Sequence, residues 1–69
     1  MPKSNWERAE EQLSERVREA FDHLHDAEVQ MTCKHAQVAL DSLRAALVAI
    51  DGAITTAKWA TTLPAPEGK

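Results

Sequence analysis

Apolar residues recur along the chain at alternating steps of three and four, which is the spacing of residues on one face of an α-helix. Two such series can be traced, one in each half of the chain. The first apolar series consists of Leu13, Val17, Ala20, Leu24, Ala27 and Met31, extended by Trp6, Ala9 and Phe21. The second apolar series consists of Ala36, Leu40, Leu43, Leu47, Ile50, Ile54 and Ala57. Each series predicts an amphipathic helix.

The two series are out of phase, because Met31 and Ala36 are five residues apart. This slip predicts a turn, and therefore an antiparallel hairpin of two long helices with Thr32 as the N-cap of the second. An alternative interpretation places the turn near Asp26, with a break at Gly52 and a short third helix after it. We favour the two-helix hairpin.

Local signals agree with an all-α fold. Between residues 5 and 62 there is one glycine and no proline, and strand-forming residues do not cluster. Ser4 and Glu7 have the spacing of a capping box at the start of the first helix. We expect one helical domain over residues 1–62 and a flexible, proline-containing tail over residues 63–69.

In the hairpin, the two apolar series are expected to face each other, with Leu24 opposite Leu43 and Val17 opposite Ile50. The second helix nevertheless remains too apolar to be covered on one side only, since residues 37–54 contain three charged residues. We therefore expect self-association into a helical bundle through a second surface of this helix. The residues predicted to form that surface are Val38, Ala45, Val48, Ala49 and Ala53.

The first helix carries a row of acidic side chains. Residues 1–34 contain eight acids and five bases, and the net charge of the whole chain is −3. The predicted partner-binding residues are Glu7, Glu11, Glu15, Glu19 and Asp22 of this row, together with Trp59. Carboxylates one helical turn apart would suit a basic partner, although a solvated face would show the same pattern. A basic stripe typical of nucleic-acid binders does not occur, so we expect no direct contact with nucleic acid.

Four residues near the predicted turn have side chains of the type that binds zinc: His23, His25, Cys33 and His35. Their spacing matches no standard zinc motif, so we predict no metal site and no cofactor. Cys33 is the only cysteine, which excludes a disulfide within one chain and favours a reducing compartment. The longest apolar stretch is far shorter than the ~18 residues of a membrane span. We expect a cytoplasmic protein that does not contact membranes.

These features favour a non-catalytic protein that acts through contacts. The sequence has no glycine-rich phosphate loop and no nucleophile that can be assigned to a pocket. The leading hypothesis is a homo-oligomeric helical adaptor or regulatory subunit that binds itself and an unidentified protein. The alternatives are an inhibitor of the kind made by phages and mobile elements, whose acidic helix blocks a basic groove of an enzyme, and an oligomer that sequesters a small ligand.

Overall fold

The structure, a computed structural model, describes residues 3–64. It consists of two helices, α1 (Asn5–Thr32) and α2 (Ala36–Ala60), which pack against each other as a hairpin. The predicted two-helix fold is therefore confirmed for the described residues. Helix α2 continues through Gly52 without a break, so no third helix begins there. Of the predicted tail, residues 65–69 lie outside the described residues.

Helix α1 begins at the predicted cap. The Ser4 hydroxyl accepts a hydrogen bond from the Glu7 amide at 3.2 Å. The same hydroxyl lies 3.5 Å from the Glu7 carboxylate, to which it can donate. One of the amides that a helix start leaves without a partner is thus satisfied by a side chain.

The turn between the helices has the hydrogen bonds of a Schellman motif. The His35 amide donates to the Gln30 carbonyl at 2.8 Å, and the Lys34 amide donates to the Met31 carbonyl at 3.0 Å. Lys34 has a φ of 66°, the left-handed conformation that this motif requires and that glycine adopts most easily. The prediction of Thr32 as N-cap of the second helix is wrong, because Thr32 is the last residue of α1 and His35 precedes α2.

Small side chains form the contact between the two helices. The buried residues are Ala9, Ala20 and Ala27 of α1 and Ala39, Ser42, Ala46, Ala49 and Thr56 of α2. No large side chain is fully buried within residues 3–64. Small residues allow two helix backbones to approach closely, so that dispersion contacts form along the length of the hairpin.

The large residues of the two apolar series are not buried between the helices as expected, although Val17 and Ile50 do lie on opposite walls of one groove. Leu24 and Leu43, which were predicted to lie opposite each other inside the hairpin, are both exposed. The buried residues of α2 each come one position before a member of the second apolar series. Ala46, for example, is buried where the sequence predicts Leu47. One residue corresponds to a rotation of about 100° around the helix axis. The leucines and isoleucines of α2 are therefore turned to one side of the hairpin.

Two contacts establish the register of the helices. The Ser42 hydroxyl donates a hydrogen bond to the Asp26 carboxylate. Nearer the open end, the side chain of Arg16 lies over Gly52, where an added Cβ would be 3.1 Å from Cδ and Nε of the arginine. Because the helices are antiparallel, a residue n positions after Arg16 in α1 lies at the same height along the hairpin as the residue n positions before Gly52 in α2.

Candidate interaction surface

Ten large hydrophobic side chains lie exposed on one side of the hairpin, and we call them the apolar face. They are Leu13, Val17, Phe21, Leu24 and Met31 of α1 and Leu40, Leu43, Leu47, Ile50 and Ile54 of α2. Each exposes between 37% and 67% of its surface. The sequence predicted these residues to be apolar helix positions but assigned them to the interior of the hairpin. The structure places them on its surface.

The middle of the apolar face is a groove between the helices with a volume of about 400 Å³. Leu13, Val17 and Leu24 form one wall, and Ile50 and Ile54 form the other. The alanines Ala20, Ala53 and Ala57 line the groove as well, and Arg16 is the one charged residue in its lining. Because nearly all of these groups are aliphatic, the groove suits another apolar surface.

The two side chains that are most exposed on this face lie at its two edges. Phe21 of α1 exposes 67% of its surface, and Leu47 of α2 exposes 65%. Counting five positions from the contact between Arg16 and Gly52 places these two residues level with each other. Phe21 also lines the groove, whereas Leu47 lies on the apolar face outside that lining.

Exposed charges flank the apolar face. On the side of α1 these are Glu10 and Glu28, which are five helical turns apart and therefore share one direction, and Arg18, which lies beside Phe21. On the side of α2 the flanking charges recur every seven residues. They are Arg44, Asp51 and Lys58. The α1 edge thus has one more acid than bases, whereas the α2 edge has one more base than acids.

Most of the predicted self-association residues lie outside the apolar face. Val38 and Val48 are exposed on the opposite side of α2, and Val48 exposes 72% of its surface. Ala45 and Ala53 are half-buried, and Ala53 belongs to the apolar groove. Ala49 is only 4% exposed, because it packs between α1 and α2. The structure therefore brings Ala45, Val48 and Ala49 together at one cleft, but Ala53 lies in the apolar groove instead.

The opposite side of the hairpin is mixed in character. A cleft of about 490 Å³ lies there between the helices. It is lined by Ala45, Val48, Ala49 and Gly52 of α2 and by the charged or polar side chains of Arg16, Glu19 and His23 of α1. This side consequently lacks the continuous apolar surface found on the apolar face.

The predicted partner-binding residues of α1 all lie at the surface. Glu7 takes part in the helix cap, Glu11 pairs with Lys3, and Glu19 lies 3.5 Å from Arg16. Glu15 and Asp22 are also exposed. Trp59 exposes 36% of its surface near the end of α2. These side chains are accessible in the described part of the chain, and their role in binding a partner stays a prediction.

Asp26 is the acid whose protonation is most affected by the fold. The hydrogen bond from Ser42 lowers the pKa of the Asp26 carboxyl, and a second hydrogen bond from Gln30 acts in the same direction. The nearby His23 and His25 lower this pKa further. The charged carboxylate therefore helps to hold α1 against α2, which gives it a structural role.

The structure does not gather the histidines and the cysteine near the turn into one cluster. Within residues 3–64, no three side chains of the histidine, cysteine, aspartate or glutamate type come together around a common point. Cys33 is exposed, and Nδ1 of His35 lies 3.0 Å from the side-chain oxygen of Gln30.

The signal that the sequence interpretation overlooked is the spacing of the small residues in α2. They recur at alternating steps of three and four, as the large residues do. The row consists of Ala39, Ser42, Ala46, Ala49, Ala53 and Thr56. Two rows with the same period therefore lie side by side on α2, and only the row of large residues was assigned to the contact between α1 and α2.

Comparison with known proteins found no matching family model, curated protein or solved structure. Neither helix, over the described part of the chain, combines the length and the hydropathy of a membrane span. The functional conclusion accordingly rests on the surface of the hairpin.

Proposed function

We propose that this chain is a non-catalytic protein-interaction module, an adaptor or regulatory subunit whose working surface is the apolar face. The supporting observation is that alanines fill the interior while ten large hydrophobic side chains remain outside. Judged from their exposed fractions, these side chains present on the order of 900 Å² of surface, whereas the largest apolar patch of a typical monomer is about 300–600 Å². An apolar surface of another protein chain that packed against this face would remove this area from water.

The chemistry of the groove supports a contact function over catalysis. Its walls are aliphatic, and Arg16 is the one ionisable side chain that lines it. General acid–base and nucleophilic catalysis need a group that takes up a proton and a partner that orients it. The groove offers neither, but it offers the continuous apolar contact of an interaction surface.

Site-specific photocrosslinking in the source organism tests this proposal. Phe21 is replaced by p-benzoylphenylalanine, which is close to it in shape and sits on the apolar face. The control carries the same amino acid in place of Val48, which is equally exposed on the opposite side. We expect a protein, either a second copy or a different chain, to be crosslinked at position 21 much more than at position 48. Equal or absent crosslinking at position 21 would refute an interaction function of this face.

A second candidate function uses the acidic row of α1. Its carboxylates lie at the surface and point away from the apolar face, so they could occupy a basic groove of a target enzyme as an inhibitor does. The triple substitution of Glu11, Glu15 and Glu19 by Lys tests this function. It should abolish partner binding at low salt if the acidic row makes the contact, and should leave binding unchanged if the apolar face makes it.

A further inference from the structure

The partner of the apolar face can be identified from the shape and charge of the hairpin itself. We infer that a second copy of this chain covers the apolar face, forming a four-helix bundle in which both turns lie at the same end. This inference rests on the proposed function, because it names the partner of the same face.

The surface area of the hairpin fits a subunit of a dimer. Its accessible surface is 5546 Å², whereas a compact chain of 7.6 kDa exposes about 4,300 Å². The apolar face exposes on the order of 900 Å², and a stable interface buries about 800 Å² on each partner. Its radius of gyration of 15.8 Å likewise exceeds the ~11 Å of a compact domain of this length. One further hairpin has the length and width to cover this face.

The charges at the edges of the face are complementary to those of a second copy. Counting six positions from the contact between Arg16 and Gly52 places Glu10 of α1 level with Lys58 of α2. A twofold axis parallel to the helices lays α1 of one copy over α2 of the other. This rotation does not change the height of a residue along the hairpin. Glu10 of each copy then lies beside Lys58 of the other, so that opposite charges meet at both edges.

The same operation brings the exposed edge residues together. Phe21 of one copy meets Leu47 of the other, twice in the dimer, because the two residues are level and lie at opposite edges of the face. The grooves of the two copies thereby face each other across the interface. Helices that lie opposite each other across the interface run antiparallel, so their dipoles oppose each other favourably.

Solution mass provides the first test. We expect light scattering of the purified full chain to give twice the chain mass of 7.6 kDa. Leu47→Glu should weaken dimerisation by roughly 100-fold or more, because it buries a carboxylate in the apolar interface. Val48→Glu, the matched control on the opposite side, should leave the dimer intact. Circular dichroism shows whether each variant remains helical.

A charge exchange tests the pairing without burying a charge. Glu10→Lys and Lys58→Glu should each weaken the homodimer, because like charges then meet at both edges. A mixture of the two variants should form the heterodimer in several-fold excess over either homodimer, since both edge pairs are then restored. A statistical mixture would overturn the pairing of Glu10 with Lys58.

The single cysteine reports the relative orientation of the two copies. Cys33 is exposed at the turn, at the end of α1, and the two α1 helices lie diagonally across the proposed bundle. A bismaleimide with a span of about 20 Å, roughly twice the distance between adjacent packed helices, should therefore link two chains if both turns lie at the same end. A dimer that this reagent does not link would overturn the same-end arrangement. A helical, monomeric wild-type chain would overturn the second copy as partner. If the chain were monomeric but position 21 were crosslinked to a different protein, the proposed interaction function would still hold. If nothing were crosslinked at position 21, the proposed function would be refuted as well.

Discussion

Replacing Ala46 by Leu tests the central feature of the fold, which is an interior made of small side chains. Ala46 exposes 1% of its surface where α2 faces α1. Leucine adds three carbon atoms at a point where the two backbones are held close together. Adding methylene groups to a packed interior costs about 1–3 kcal/mol. Alanine and leucine differ little in helix propensity, so the loss measures the packing of the hairpin.

The expected result is a decrease of about 1–3 kcal/mol in the free energy of unfolding. It can be measured by urea denaturation followed by circular dichroism, with every variant at the same chain concentration, because association contributes to stability. Ala45→Leu is the control, since Ala45 is only half-buried and lies on the opposite side. The control should change the free energy of unfolding by less than about 0.5 kcal/mol.

The opposite result would show that the packing is different. If Ala46→Leu left stability unchanged or raised it, the alanine row would not form the contact between the helices. Helix α2 would then be rotated by about one residue, with Leu47 turned towards α1. The apolar face would in that case be the interior of the hairpin, and its proposed role in binding would lose its basis.

Three further substitutions test local features of the hairpin. Lys34→Gly should raise the free energy of unfolding by about 0.5–1 kcal/mol, because glycine adopts the left-handed conformation without strain, whereas Lys34→Ala should give no such gain in the same denaturation experiment. Gly52→Ala should raise the thermal midpoint, since alanine favours the helix by up to about 1 kcal/mol and the flexible Arg16 side chain needs to move by only a few tenths of an ångström; a lower midpoint would show that Arg16 cannot move. The lowered pKa of Asp26 means that its carboxylate stabilises the fold above the unfolded-state pKa of about 3.9, and that this contribution is lost as the pH falls through the folded-state pKa. The stability difference between wild type and Asp26→Asn should therefore shrink in acid, and a difference independent of pH would contradict the assigned hydrogen bond from Ser42.

Most of the candidate surface could be predicted from the sequence as a set of residues, but its location could not. The periodicity identified the ten large residues as helical and apolar. It could not tell that they lie outside, because in an ordinary amphipathic helix the largest apolar side chains face the interior. The predicted self-association through Val38 and Val48 followed from that assignment. It remains untested, and the structure shows that the larger apolar surface is on the other side of the hairpin.

The sequence by itself determined the parts of the structure that depend on neighbouring residues. The two helices, the cap at Ser4 and the turn after α1 follow from the spacing of apolar residues and from hydrogen bonds within a few positions. Even there, the left-handed conformation of Lys34 could not be predicted, because lysine has no preference for positive φ.

Only the tertiary structure decided which of two adjacent rows on α2 faces α1. The alanine row through Ala46 and the leucine row through Leu47 have the same period, so no pattern within one helix distinguishes them. The choice depends on how closely two backbones approach, which is a property of the pair of helices. Close approach favours the small side chains inside, and the large ones are left for a contact with another molecule.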